Sequence, residues 1–226
     1  MLDLARLEQG IDPDALEELR ALDLARGRPL LAVDCDEVMV EFSSHVARWL
    51  PSTGHEMRLT QYRLEGTMFP FGEDTPLPFV ECVRLLDRFF HAETEEQEAV
   101  AGAPAALERL AEDVQVVVLT NVPRFAGPAR RRNLAALGMD FPVVVNSGGK
   151  GRALAWLASA ASAPVAFVDD SPLQHQHAAR HAPDVRRIHF VGAASLRELM
   201  AESPEADHRA HDWDEAEHLI RAALTR

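Results

Sequence analysis

Short apolar runs bounded by turn residues alternate with helical periodicity along most of this chain. Residues 29–34 carry Leu30-Leu31-Ala32-Val33 without a polar break, as expected of a strand buried on both faces of a parallel sheet. Similar runs predict strands over 114–119, 142–145, 164–168 and 185–191. Between them, apolar residues recur every three or four positions and predict helices over 105–112, 128–137, 151–161 and 172–181. Gly138 ends the second of these helices, and Ser171 followed by Pro172 opens the last. Two further helices are expected at 194–201 and 212–224. Strands that alternate with helices imply an α/β fold with a doubly wound, Rossmann-like parallel sheet.

Two regions depart from this alternation. Residues 40–100 offer no convincing strand. They predict helices over 42–50, with Ser43 or Ser44 as a start signal, and over 80–92, where Val83, Leu85, Leu86, Phe89 and Phe90 share helical spacing. Residues 51–54 and 70–78 are rich in turn formers. The segment 43–100 therefore reads as a helical cap inserted after the first strand, between core segments 29–42 and 101–226. Trp49 and the phenylalanines at 69, 71, 79, 89 and 90 are expected to form that insert's own core. Residues 1–28 read as two short N-terminal helices broken near Gly10-Ile11-Asp12-Pro13, where Asp12 can cap and Pro13 can open the second.

Composition narrows the function. A chain of 226 residues suits one large domain or a core with an insert. The formal charge of −13, with no long basic run, argues against a nucleic-acid polymer as partner, although a single nucleotide could still be a substrate. Cys35 and Cys82 form no disulfide framework and suit a reducing compartment. No apolar run approaches the ~20 residues that span a bilayer, and the N-terminus is acidic and amphipathic rather than signal-like. The expectation is a cytoplasmic protein with no membrane partner.

The candidate chemistry lies at the strand ends. The first strand ends in Asp34-Cys35-Asp36, the second in Thr120-Asn121, and the fourth in Asp169-Asp170-Ser171; Lys150, the one lysine of the chain, opens the 151–161 helix. In a parallel sheet these ends share one edge, where ligands of open α/β folds bind. Each residue alone has a plainer reading. Asp34, Thr120, Asn121 and one of the last two aspartates could cap turns or helices, and Lys150 could be solvated. Together they fit another reading. Carboxylates crowded at buried strand ends repel one another unless a cation intervenes, and Mg²⁺ takes one or two carboxylates, waters and a phosphate oxygen. A chain that otherwise uses arginine keeps a compact ammonium here, and the two are not interchangeable. Thr120, the Asn121 N–H and Lys150 could hold phosphoryl oxygens, one carboxylate could attack, and the other could serve as acid and base.

The ordered set D-x-D-x-V (Asp34, Asp36, Val38), Thr120-Asn121, Lys150 and Asp169-Asp170-Ser171 resembles the haloacid dehalogenase-like hydrolase superfamily over residues 28–192. The resemblance implies Asp34 as nucleophile and Asp36 as general acid and base. It implies Thr120, Asn121 and Lys150 as phosphate-binding residues, and Mg²⁺ held by Asp34, the Asp36 carbonyl, Asp169 and Asp170. Gln174 departs from the pattern, since many relatives carry a third acidic residue there. Asp36 points to phosphate esters, because a halide leaves without a proton. The insert matches the family's helical cap in position and size, and residues 54–62 are weakly similar to the cap of the deoxyribonucleotidase-like branch. Arg58 and Tyr62 in the cap, and Arg124 beyond Thr120, are the candidate substrate contacts. His175, His177 and His181 are expected to be solvated helix residues. The expected function is a Mg²⁺-dependent phosphohydrolase that acts on a small phosphorylated metabolite through an aspartyl-phosphate. The alternatives are a phosphotransferase or phosphomutase, and a non-catalytic binding protein.

Overall fold

Asp12 starts the first helix: its side chain accepts the Ala15 N–H at 3.1 Å while Pro13 takes the first turn of α1 (Pro13–Arg20). The computed structural model describes residues 7–60, 65–200 and 202–225. The first predicted N-terminal helix falls largely outside them. After α1 come β1 (Leu30–Val33), α2 (Ser43–Trp49), a 3₁₀ turn (Leu50–Thr53), β2 (His55–Met57), β3 (Met68–Pro70), α3 (Phe79–Glu93), α4 (Ala103–Ala111) and β4 (Gln115–Thr120). A second 3₁₀ turn (Arg124–Ala126) leads into α5 (Gly127–Ala136). Then follow β5 (Val143–Val145), α6 (Gly151–Ala161), β6 (Val165–Asp169), α7 (Pro172–His181), β7 (Arg186–Phe190), α8 (Ala194–Arg197), β8 (His208–Ala210) and α9 (Trp213–Leu224).

Among the described residues, six strands form one sheet in the order β5-β4-β1-β6-β7-β8, and every neighbouring pair is parallel. β1 lies between β4 and β6, with Leu30 opposite both Gln115 and Val165. The chain first builds outward from β1 through β4 to β5, then crosses back to β6. The carboxyl end of β1 is thus the switch point at which such sheets open a crevice. Alternation along β1 sends Leu31 and Val33 into one apolar core, shared with α4 and α9, and Leu30 and Ala32 into another, shared with α1 and α6. Both faces are covered, which is why the strand carries no polar residue.

The segment that follows β1 leaves and returns side by side: Glu41 donates to the Glu98 carbonyl and Val100 to that of Met39, each at 2.9 Å. Within the segment, Phe42, Trp49, Phe89 and Phe90 pack as an aromatic cluster with ring centroids 5.6–5.7 Å apart. Phe71 and Phe79 do not join it and lie exposed. The segment is not wholly helical, because β2 and β3 pair antiparallel, His55 opposite Pro70 and Met57 opposite Met68. Strands of three residues show no periodicity of their own, and only their pairing creates them. The same holds for β8, which joins the edge of the sheet beside β7. The helix expected over 194–201 is shorter, ending at Arg197. Among the described residues, no helix is long and apolar enough to cross a membrane.

Candidate active site

β1 delivers Asp34 to the crevice, and the Asp34 N–H extends the ladder to the Val168 carbonyl at 2.9 Å. The chain then turns sharply. The Cys35 carbonyl accepts from Met39 at 2.8 Å and Val40 at 3.0 Å, and Glu37 sits at φ 65°, a left-handed conformation that strains a residue bearing a Cβ. The indole N–H of Trp213 on α9 donates to the Val38 carbonyl at 2.8 Å. The turn carrying both aspartates is therefore held from within and from the opposite end of the chain.

Lys150 lies at the centre of the floor. Its Nζ is 2.5 Å from Asp34 and 2.7 Å from Asp169, and all three side chains are buried. Burial opposes the lysine's charge, yet Asp169 and Asp34 together outweigh it and hold the ammonium above its ordinary range. Burial also raises the Asp34 carboxyl, to about 6, although Lys150 pulls the other way. Asp169 moves in the same direction for the same reason, and its Oδ1 accepts the Ser171 N–H at 2.8 Å. Asp34, Asp169 and Asp170 each offer an oxygen, and these atoms lie within 4.8 Å of one another. Three carboxylates against one ammonium leave an excess of negative charge on hard oxygen donors, a donor set suited to a small divalent cation such as Mg²⁺.

The local sequence explains how Lys150 reaches this position. Glycines flank it because α6 starts hard against α7: a Cβ at Gly151 would overlap the His177 carbonyl, and one at Gly149 the His177 ring. Gln174, the departure from the family pattern, accepts the Lys150 N–H at 2.9 Å through Oε1 and fixes the start of α6.

Sequence reasoning missed two sets of supporting residues. The first is His175 and His189. His175 is not solvated: both rings are buried, 5.4 Å apart, with Nε2 at 2.9 Å from the carbonyls of Asp169 and Asp170 respectively. A carbonyl only accepts, so each Nε2 carries a proton. Burial lowers both imidazoles to about 4. The second set surrounds Asp36. The wholly buried Arg130 guanidinium donates to Asp36 Oδ1 and Gln97 Oε1, each at 2.7 Å, and to Asn133 Oδ1 at 3.0 Å. Burial raises the Asp36 carboxyl while Arg130 lowers it. The polar residues on the inward face of α5, Arg130 and Asn133, carried the available signal.

Thr120 is fully buried at the end of β4, its hydroxyl accepting the Val122 N–H at 3.1 Å. Asn121 reaches the crevice, with Nδ2 donating to Gly148 O at 2.7 Å and Oδ1 accepting from Asn146 at 2.9 Å. A cavity of about 390 Å³ opens above the floor. It is lined by Asp34, Asp36, Glu37, Asn121 and Asp170 below and by Phe42, Met57, Leu59, Met68, Leu86 and Leu196 around and above, with Ser43 and Thr67 between them. Two of the candidate substrate residues, Arg58 and Arg124, lie elsewhere. Alternation along β2 and just past it sends Met57 and Leu59 to the cavity and Arg58 to the outer face, where it pairs with Glu56 at 2.5 Å and Asp74 at 3.3 Å and covers the Phe69 ring. Arg124 is held by Asp12, Asp14 and Glu18 at 2.9, 3.1 and 3.7 Å and lines a separate polar cavity with Asn146 and Gly148. Tyr62 lies outside the described residues.

No protein-family model matches the chain, and no curated protein matches it in sequence. Solved structures do match in fold. A HAD family hydrolase from Deinococcus radiodurans with bound phosphate and sodium is 18% identical, with a TM-score of 0.59 over 88% of this chain and 98% of its own. A HAD-hydrolase from Bacillus subtilis bound to magnesium is 14% identical, with a TM-score of 0.58 over 87% and 99%. A protein from Thermotoga maritima named for β-phosphoglucomutase is 19% identical, with a TM-score of 0.56 over 87% and 100%. The chain has the fold of the haloacid dehalogenase-like hydrolases.

Proposed function

We propose that this protein is a Mg²⁺-dependent phosphohydrolase that cleaves a small phosphomonoester through an aspartyl-phosphate on Asp34. The observation that carries this reading is the convergence of Asp34, Asp169 and Asp170 at the switch point of the sheet, with Lys150 against the first two. Asp34, Asp169, Asp170 and the Asp36 carbonyl would hold the metal, which when bound offsets the charge of the carboxylates and of the phosphoryl group. An Asp34 oxygen attacks phosphorus as the ester P–O bond breaks. Asp36 gives its proton to the leaving oxygen, and later takes one from the water that opens the acyl phosphate. Lys150, with Thr120 and Asn121, offsets charge on the phosphoryl oxygens. The inserted segment acts as the cap that limits water and selects substrate. The two buried, unpaired cysteines accord with a cytoplasmic setting.

Phosphate release from a panel of phosphate esters with and without Mg²⁺ tests this reading. Metal-dependent release that vanishes in Asp34→Asn is expected, whereas release in metal-free buffer, or full activity in that variant, overturns it. The fold likeness to the protein named for β-phosphoglucomutase supports transfer to a second hydroxyl as the next reading. Phosphoryl transfer to an added alcohol without free phosphate would favour it.

A further inference from the structure

We infer that the group esterified to the phosphate is an apolar alkyl or aryl alcohol, rather than a sugar, a nucleoside or a second anion. The inference rests on the phosphohydrolase reading and concerns what fills the cavity beside the carboxylates.

Six apolar side chains from separate parts of the fold converge there: Phe42 before α2, Met57 and Leu59 from β2 and just past it, Met68 from β3, Leu86 from α3, and Leu196 from α8. The wall is closed by a contact between insert and core, since Leu59 packs on the cluster of Val191, Leu196 and Met200. At about 390 Å³ the cavity suits a small ligand.

The polar groups work against other substrates. Among the described lining residues none is cationic, and the Arg130 guanidinium behind Asp36 is already paired with it, so a second phosphate or carboxylate on the substrate would face the buried Glu37 without a free counter-charge in the lining. Arg58, a cation among the described residues of the hairpin, is turned outward and paired with Glu56. Hydroxyl-rich substrates fare no better. The Asn121 amide is already bonded to Gly148 and Asn146, and the Ser43 N–H is held by Glu37, which leaves the short Ser43 and Thr67 side chains as the other neutral polar groups of a mainly apolar lining. Sugar hydroxyls placed against Met57, Leu59, Met68 and Leu86 would lose water without gaining partners. Alkyl groups gain from the same wall in proportion to the area they bury.

The test is a homologous series, ethyl to hexyl phosphate, assayed for phosphate release with Mg²⁺ beside glycerol phosphate and a nucleoside monophosphate. Calorimetric binding of the matching non-hydrolysable alkylphosphonates runs in parallel. We expect kcat/KM and affinity to rise about fourfold per methylene, equivalent to about 0.8 kcal/mol, and the polar esters to be the poorest substrates. Leu59→Gln and Leu86→Gln, at half-buried positions, should each flatten the series. A flat or falling series in both measurements, or preference for the polar esters, overturns the inference while leaving the phosphohydrolase standing. Steep phosphonate binding without phosphate release from any ester supports the apolar site and instead overturns the hydrolase.

Discussion

The floor of the cavity gathers Asp34, Asp169, Asp170 and Lys150 at the ends of β1 and β6 and the start of α6, whereas its walls present Met57, Leu59, Met68 and Leu86 from the insert. The floor is charged, buried and cross-linked by ion pairs. Lys150 is clamped between two carboxylates, and two histidines hold the backbone of the acidic pair from beneath. The walls are mostly apolar, with Ser43 and Thr67 as their polar members, and owe their shape to a hairpin of three-residue strands and one face of a helix. The contrast separates two tasks. A charge cluster needs fixed positions, because buried charges are tolerable only when their partners stay in place. A surface that selects an apolar group needs only area and shape, and can be built from elements that tolerate change.

The largest effect that would break this comparison lies on the floor. Asp34→Asn should lower phosphate release by at least about 10⁴-fold, since an amide is no nucleophile here. A residual rate near that of the parent protein would remove the carboxylate from the reaction.

Next comes Lys150→Met, which leaves Asp34 and Asp169 facing each other without a cation. In metal-free buffer it should destabilise the fold by about 3–5 kcal/mol. Urea unfolding measures this, and an unchanged midpoint would show that the clamp carries no stability.

A pH titration sharpens the picture beneath the floor. His175 and His189 fall from an ordinary value of 6.5 to about 4 when folded. Between these values the unfolded chain binds protons that the folded chain refuses, so stability is full above pH 6.5 and lost as pH falls toward 4, by up to about 3 kcal/mol for each ring. His189→Gln keeps a donor for the Asp170 carbonyl without titrating. It should flatten this slope in unfolding curves, and a slope equal to the parent's would exclude His189 as a source.

The smallest effects are expected at the arginines. Arg58→Met and Arg124→Met should each change kcat/KM by less than about twofold, because both side chains are bound to acidic partners away from the cavity. Loss of those part-exposed pairs should alter stability by about 0–1 kcal/mol. A tenfold fall in kcat/KM in either variant would return that residue to the substrate.

Much of the floor was legible in the chain. Uninterrupted apolar runs mark β1, β4 and β6, and a polar residue directly after such a run has little choice but to emerge at the sheet edge. Asp34, Thr120 and Asp169 follow that rule, and a lone lysine between glycines marked Lys150. Arg58 and Arg124 show why the rest was not. Their charge drew attention to them, but charge does not say which way a side chain points. For Arg58 a two-residue periodicity settles it, and that periodicity exists only once β2 finds β3. For Arg124 the acidic face of α1 settles it, from more than a hundred residues away in sequence.

By itself, then, the sequence determined the parallel sheet and the row of carboxylate, hydroxyl and ammonium side chains along one edge, because both follow from local patterns of burial and strand ends. Tertiary structure alone decided that Arg130 meets Asp36, that His175 and His189 brace the acidic pair, and that the described residues of the insert turn an apolar rather than a basic face toward the carboxylates. Those outcomes depend on contacts between residues distant in the chain, and no pattern within one segment encodes its partner in another.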